Sequence, residues 1–353
     1  MLHNSGNYGM IIINGSTGEG GGQVLRTALG LSLVTGQPFR IEKIRAGREK
    51  PGLMRQHLTA VRAAAQISDA KVSGDAIASR ELVFEPGEVR PGQYEFAVGT
   101  AGSATLVLQT VLPALMVADG PSRLTLKGGT HNPWSPPFDF LAKTFLPLLN
   151  RMGASVTANL VRPGLYPAGG GEFTVEIEPA VDSRLQPLEL MERGETVFRR
   201  ARAIVAKLPD QIAERELKVV ERKLGWTGDS LVVEQAHDSV GPGNIIMLEI
   251  ASRNVTEVFT AFGEKDVRAE AVAHKAVDEA RAYLAAGVPV GPHLADQLLI
   301  PMAMAGGGRF RTVAPTRHTI TNIEVIQKFM DVVISVTRVE QDRDVWEIDV
   351  RKS

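Results

Sequence analysis

The sequence predicts an α/β (α+β) chain: three repeated βαβαββ units in a large domain, with a smaller α/β domain inserted into it. Three observations lead there. Strand-like alternation and helix-like periodicity recur in one order along the chain, a glycine-rich loop joins the first strand to the first helix, and the stretch 187–287 fits none of the copies.

In the first copy, residues 10–14 form an apolar strand and 22–33 an apolar helix, and residues 38–44 alternate. Residues 53–67 place apolar side chains at 54, 58, 61 and 65, a helical stripe, and 71–74 and 82–85 are two further strands. From Gln93 the order returns, with a strand at 94–98, a helix at 103–117, a strand at 123–127, a helix at 138–152, and strands beginning at Val156 and Glu172. After Pro289 a third copy shows helix 294–305, strand 310–313, helix 322–330, and strands beginning at Val332 and Trp346. The large domain is therefore expected to comprise 1–186 and 288–353, and the inserted domain 187–287. Within the insert the pattern is strand 198–208, helix 210–224, strands 231–235 and 244–251, and helix 268–284. The mixed charges of helix 210–224, among them Glu214, Arg215, Glu216 and Lys218, predict a solvated face.

Composition narrows the chemistry. The 353 residues are 44% hydrophobic and 22% charged, enough for a large core. The apolar run 106–118 is broken by Gln109 and Pro113, which marks a buried helix rather than a membrane span. Residues 1–9 are polar and lack an apolar signal core, so a cytoplasmic protein is expected. With no cysteine, disulfides, thiolate catalysis and zinc–thiolate sites are excluded. A net charge of −1, from 39 basic and 40 acidic residues, argues against wrapping nucleic acid but permits a small basic pocket that holds one strand end.

Four clusters could carry chemistry. His318 lies between strand 310–313 and a helix whose start is suggested by Thr321 and Glu324 at capping-box spacing. That places the histidine in a loop three residues before the N-cap, where a phosphoryl group would be favoured, although a histidine there can also only complete a turn. The loop Asn14-Gly15-Ser16-Thr17-Gly18-Glu19-Gly20-Gly21-Gly22-Gln23, with Arg26 a turn later, is neither a Walker A loop nor a dinucleotide fingerprint. It reads equally as a phosphate cradle with Glu19 on a magnesium ion or as a tight turn. Arg45, Arg48, Lys50, Arg55, Gln56 and His57 form a basic cluster at a strand end and a helix start, suited to a terminal phosphate, with His57 alternatively a core residue. Gln109 and the pair Asp296-Gln297 interrupt apolar helices, and such groups need either internal partners or a ligand. His131 reads as part of a turn, and His3, His237 and His274 have no convergent neighbours.

Taken together these motifs resemble the RNA 3′-terminal phosphate cyclase family over essentially the whole chain. The resemblance rests on Gly18-Glu19-Gly20-Gly21-Gly22-Gln23, Ile44-Arg45-Ala46-Gly47-Arg48, Pro51-Gly52-Leu53-Met54-Arg55-Gln56-His57 and Leu106-Val107-Leu108-Gln109-Thr110. It continues through Tyr166-Pro167-Ala168-Gly169-Gly170-Gly171 and Leu294-Ala295-Asp296-Gln297 to His318-x-x-x-Asn322. What it implies is ATP-dependent conversion of an RNA 3′-terminal phosphate to a 2′,3′-cyclic phosphodiester through a covalent histidine–AMP intermediate and an RNA adenylate. By the same resemblance His318 is the nucleophile and Asn322 orients its loop, while Arg26, Arg45, Arg48, Gln56 and His57 form the pocket for phosphates and the RNA end. Gln109, Asp296 and Gln297 match nucleotide-site positions, Glu19 matches the carboxylate on a divalent metal, magnesium or manganese, and a homodimer is admitted. His293 stands where the family usually has a tyrosine packed on adenine, Pro163 where it has a basic residue, and Phe173 where it has an aliphatic one. Two other classes remain open: an inert RNA-processing scaffold of the same family, and a small-molecule enzyme on similar repeats, like the enolpyruvyl transferases.

Overall fold

The computed structural model describes residues 9–340 and 342–353. His3 and all but the last residue of the polar lead 1–9 lie outside the described residues. Strand β1 (Ile11–Asn14) pairs parallel with β2 (Phe39–Glu42), and α1 (Gly22–Thr35) connects them. After α2 (Arg55–Ser68) come β3 (Lys71–Ser73) and β4 (Leu82–Glu85), and the sheet order is β1-β2-β4-β3 with β4 antiparallel to both neighbours. The next sheet repeats this plan. It contains β5 (Gln93–Ala97), β6 (Ser122–Gly128), β7 (Ser155–Arg162) and β8 (Gly171–Glu178) in the order β5-β6-β8-β7, with the same strand senses. Its helices are α3 (Ala104–Leu115) and a second one made of α4 (Phe138–Phe140), a π turn (Leu141–Phe145) and α5 (Leu146–Arg151).

Strand β9 (Leu188–Leu190) opens a third sheet, but the chain first leaves it to build β10 (Thr196–Ala206), α6 (Asp210–Leu224), β11 (Leu231–Gln235), β12 (Gly243–Ser252), β13 (Thr256–Phe262) and α7 (Ala269–Ala286). These strands form their own sheet, β11-β10-β12-β13. The chain then returns through α8 (Pro292–Ala305), β14 (Gly307–Thr312), α9 (Arg317–Phe329), β15 (Val332–Glu340) and β16 (Val345–Lys352). The third sheet is ordered β15-β16-β14-β9, with β9 parallel to β14 and β16 antiparallel to both its neighbours. The mixed α/β class expected from the sequence is what the chain adopts.

Helix packing ties the three sheets into a ring. Helix α1 packs on α9, α3 on α2, and α8 on the π turn, so each sheet's first helix meets another sheet's second helix. Within the inserted sheet, β12 is buried on both faces. Every residue of β12 is buried, with Ile246, Leu248 and Ile250 in one apolar cluster with α6 and α7, and Ile245 and Met247 in the main core. A period of two on a strand apolar at both parities is the pattern of a doubly covered strand.

Several sequence expectations shift. β9 falls in the stretch read as insert, because three residues carry too short an alternation to register. β13 was not read, although its β-branched and aromatic run pairs with β12 throughout. Glu216 is not on a solvated face. It is fully buried, accepts a hydrogen bond from Asn244 Nδ2 at 3.0 Å, and burial pushes its carboxyl up to about 7. His131 is more than a turn residue: it is buried, with Nδ1 2.7 Å from Thr130 Oγ1 and Nε2 3.1 Å from Asp139 Oδ2. Asp139 also accepts from Arg202 of β10 at 2.6 Å, which joins the main body to the inserted sheet.

Candidate active site

Four helices begin at one cavity of about 590 Å³, lined by Gly21, Gly22 and Gln23 of α1, Gln56 and His57 of α2, His293 of α8 and His318 of α9. First-turn N–H groups have no intrahelical partner, so four such ends give the cavity a positive potential before any side chain is counted. Arg26, Arg45 and Arg48 add to it. Every residue to which the resemblance gives a place in the site lines this cavity: Glu19, Arg26, Arg45, Arg48, Gln56, His57, Gln109, His293, Asp296, Gln297, His318 and Asn322. Lys50 and Arg55 of the basic cluster are not among the lining residues.

His318 sits differently from the loop position expected. Helix α9 starts at Arg317, and its N-cap is Thr316, whose Oγ1 accepts the Thr319 N–H at 3.2 Å. The histidine is therefore in the first helical turn. Thr321, expected as the cap, instead accepts the Glu19 N–H at 2.9 Å and docks the glycine-rich loop on α9. The approach is close: a Cβ on Gly18 would lie 2.1 Å from Thr321 Oγ1, and Gly18 has φ of +62°.

The imidazole is held by a directional relay. His318 Nδ1 lies 2.6 Å from Gln23 Oε1. An amide oxygen only accepts, so Nδ1 carries the proton and Nε2 keeps a lone pair. Gln23 Nε2 donates to Asp296 Oδ2 at 3.1 Å, and Gln297 Nε2 donates to the same oxygen at 2.9 Å. Gln297 Oε1 in turn accepts from Gln109 Nε2. The polar interruptions of the apolar helices thus satisfy one another across α1, α3 and α8. Burial lifts the Asp296 carboxyl to about 6. Asn322 does not touch the histidine: Nδ2 donates to Asp296 O at 2.8 Å and Oδ1 accepts from Thr27 Oγ1 at 2.6 Å, fastening α9 to α8 and α1.

The His318 pKa lies below its ordinary value, first through burial and then through the charges of Arg26, His293 and Arg48. The ring is therefore neutral near pH 7. His57 is shifted further, to about 3, by burial and by Arg26 and Arg45. Its Nδ1 accepts the Met54 N–H at 3.1 Å, so the proton is on Nε2 and this histidine can only donate. Arg26 remains charged, although burial lowers it to about 10.

Arg45 does not end a strand, since β2 stops at Glu42. It occupies a turn at φ of +53°, and Nη1 donates to Lys50 O at 2.7 Å and Gly52 O at 2.8 Å. Arg48 is ion-paired with Glu19. Gln56 Oε1 accepts the Ser103 N–H at 3.2 Å and links α2 to α3. The His293 side chain is 63% exposed, with Nε2 3.5 Å from Glu279 Oε2, and its pKa is raised chiefly by that glutamate. No local pattern singles out Gln23 within the glycine motif, nor Glu279 and Thr260 in the insert. Trp134 and the apolar wall of Pro136, Phe140 and Phe145 were also passed over.

The fold and site define an α/β protein with a histidine in a cation-lined, helix-N-terminal cavity. A sequence model described as RNA 3′-terminal phosphate cyclase matches residues 17–336. Proteins of that name from Koribacter versatilis (54% identity), Ectopseudomonas mendocina (52%) and Salmonella enteritidis (49%) align with 94%, 91% and 94% of this chain. The alignments cover 93%, 94% and 96% of those proteins. The chain belongs to the RNA 3′-terminal phosphate cyclase family, an enzyme family, as its motifs indicated. Among the described residues no helix is long and apolar enough to cross a membrane.

Proposed function

We propose that this chain converts an RNA 3′-terminal phosphate into a 2′,3′-cyclic phosphodiester, with ATP as co-substrate and His318 as the covalent nucleophile. The observation that carries the reading is the Gln23–His318 hydrogen bond, which leaves Nε2 of a neutral imidazole with a free lone pair at a cavity lined by three arginines.

In the first step His318 Nε2 attacks the α-phosphorus of ATP, a P–N bond forms, and the bond to the β-phosphate oxygen breaks to release pyrophosphate. The ring gains positive charge, and the Nδ1–H bond to Gln23 Oε1 strengthens as it does. Arg26, Arg45 and Arg48 face the phosphate oxygens together with the α1 N-terminus, and His57 Nε2–H donates to them. In the second step an oxygen of the RNA 3′-phosphate takes the adenylyl group, the P–N bond breaks, and the imidazole is restored. In the third the 2′-hydroxyl attacks the activated 3′-phosphorus and AMP leaves. A phosphate monoester has no good leaving group, and this sequence supplies one.

Among the described residues no group of three metal-binding side chains exists, so a divalent ion fits only with Glu19 as a minority ligand beside phosphate oxygens and water. Glu19 would exchange its Arg48 partner to hold it. Such an ion, when bound, supplies charge neutralisation on the leaving pyrophosphate. Asp296, Gln297, Gln109 and His293 are read as the nucleotide side of the cavity, with Asn322 fastening their helix to α9. Three sheets of one topology support the division into a three-unit body and an insert, the third unit's first strand being Leu188–Leu190. Consumption of ATP on RNA ends fits a cytoplasmic setting.

The test uses purified protein, magnesium and α-labelled ATP. An acid-labile, alkali-stable protein adenylate is expected, absent in His318→Ala, together with turnover of a 3′-phosphate RNA but not a 3′-hydroxyl RNA. An adenylate of equal yield in His318→Ala would overturn the mechanism. Absence of any adenylate or turnover would favour the inert scaffold.

A further inference from the structure

We infer that the nucleotides upstream of the RNA 3′ end run out of the cavity over a stacking platform made by Trp134 and Tyr166, with Arg162 and Lys207 receiving their phosphates. This rests on the proposed reading of the cavity and extends it to a strand-binding surface outside it.

Trp134 is 76% exposed and Tyr166 42%, and their ring centroids lie 5.2 Å apart at an interplanar angle of 84°. Trp134 also lines the cavity, so the pair stands at its rim. A large aromatic left in water beside a functional cavity marks a surface for a partner.

The platform is rigid. The loop bearing Trp134 is zipped to the one bearing Tyr166: the Thr130 and His131 N–H groups donate to Gly164 O at 2.9 and 3.1 Å, and the Tyr166 N–H donates to His131 O at 3.2 Å. Asn132 Nδ2 reaches Ala101 O at 2.5 Å, and the buried His131–Asp139 pair lies beneath. Flat aromatic rings held in advance suit unpaired bases, which stack with little regard to sequence.

The glycine signature that follows Tyr166 has its use here. Gly169 and Gly170 have φ of +69° and +71°, and a Cβ on Gly170 would lie 2.6 Å from Val240 Cγ2. The signature therefore brings the platform against the insert, where exposed Val240 extends the apolar strip. Two cations flank it. Arg162 Nε donates to Gly170 O at 2.8 Å and Lys207 Nζ to Val240 O at 2.9 Å. Neither is in an ion pair with a described acidic residue, so both charges are available to phosphate oxygens. A single strand, with a phosphate per nucleotide and a base face on each, is the ligand that matches both features.

The test is binding of a fluorescent hexaribonucleotide ending in a 3′-phosphate, followed by polarisation without ATP, and its KM in cyclisation. Trp134→Ala is expected to weaken both about tenfold or more, the loss that removal of one stacked aromatic causes, and Trp134→Phe to restore most of it. Tyr166→Ala, at a platform residue outside the cavity lining, is expected to weaken hexanucleotide binding while the KM for a nucleoside 3′-monophosphate, too short to reach the platform, stays within about twofold. Arg162→Ala with Lys207→Ala is expected to weaken hexanucleotide binding and reduce its salt dependence. Unchanged hexanucleotide binding in Trp134→Ala would overturn the inference. So would a rise confined to the KM for ATP, which would move Trp134 to the nucleotide seat. If no histidine adenylate forms at all but Trp134→Ala still loses RNA, the proposed reaction fails and the platform stands.

Discussion

Gln23→Met removes both polar ends of the link between His318 and Asp296 while nearly conserving volume in a side chain that is only 7% exposed. In the resting protein the lost Nδ1–H bond costs about 1 kcal/mol, and the tautomer with a free Nε2 is no longer selected. As the P–N bond forms the ring becomes cationic, and a hydrogen bond from a charged donor is worth about 1.5–3 kcal/mol. The difference between resting and charged states alone lowers the adenylylation rate by about 2- to 30-fold, and tautomer loss adds to it. Asp296 keeps the Gln297 donor at 2.9 Å, so the buried carboxyl is not orphaned and folding survives. The assay is single-turnover adenylylation with quenched-flow sampling at saturating ATP, with ATP affinity measured separately by equilibrium dialysis on His318→Asn and on Gln23→Met/His318→Asn. The expected result is a slower chemical step at nearly constant ATP affinity. A chemical step within twofold of the parent would refute the orienting role, and a loss seen only in ATP affinity would make Gln23 a ligand contact.

Three further outcomes follow from the same geometry. In Gly22→Ala the new Cβ would lie 2.3 Å from His57 Nε2 and 2.7 Å from Arg26 Nη1, so adenylate yield should collapse. Urea unfolding should register a cost of about 1–3 kcal/mol, the range of overpacking, since Gly22 is the first residue of α1 and gains little from better helix propensity. Glu257 is 2% exposed, accepts the Gly291 N–H at the start of α8 at 2.6 Å, and is pushed by burial up to about 8. Its carboxyl is raised in the fold, so the folded state holds a proton that the unfolded chain releases, and stability is lost as pH rises from about 4.5 to about 8. Glu257→Gln keeps an acceptor for Gly291 and should gain stability over the parent at pH 8 but not at pH 5, as read by urea midpoints; an equal effect at both would show that the proton is not involved. Binding of a 3′-phosphate RNA should fall shallowly with salt, with a log–log slope of about −0.7 for each phosphate contacted on a single strand. A slope as steep as that of a groove-binding protein would count against recognition of an end.

Local pattern carried much of this protein. Residues 231–235 read as a strand and are one, because the β-branched pair Val232-Val233 sits in an apolar run too short for a helix. The same reading failed at β9, where three residues hold too little pattern, and at β13, where the pattern was present but unread. Thr321 and Glu324 have capping-box spacing, yet Thr316 makes the cap, since a threonine five residues from another cannot be ranked without knowing which one tertiary contacts have taken. The cavity residues were legible as polar interruptions and glycine motifs. Their partners were not: Gln23 reaches His318 across 295 residues and Asp296 across 273.

Sequence by itself determined the element types, the absence of cysteine chemistry, the family, and the short list of residues able to handle phosphate. Those depend on composition, period and backbone freedom, which neighbours in the chain decide. The tertiary structure alone decided that four helix N-termini open on one cavity, that His318 lies in a helical turn with its proton on Nδ1, and that Asn322 braces helices rather than the imidazole. Such facts depend on side-chain direction across packed helices, set by burial of apolar faces from distant segments, and no local stretch encodes them.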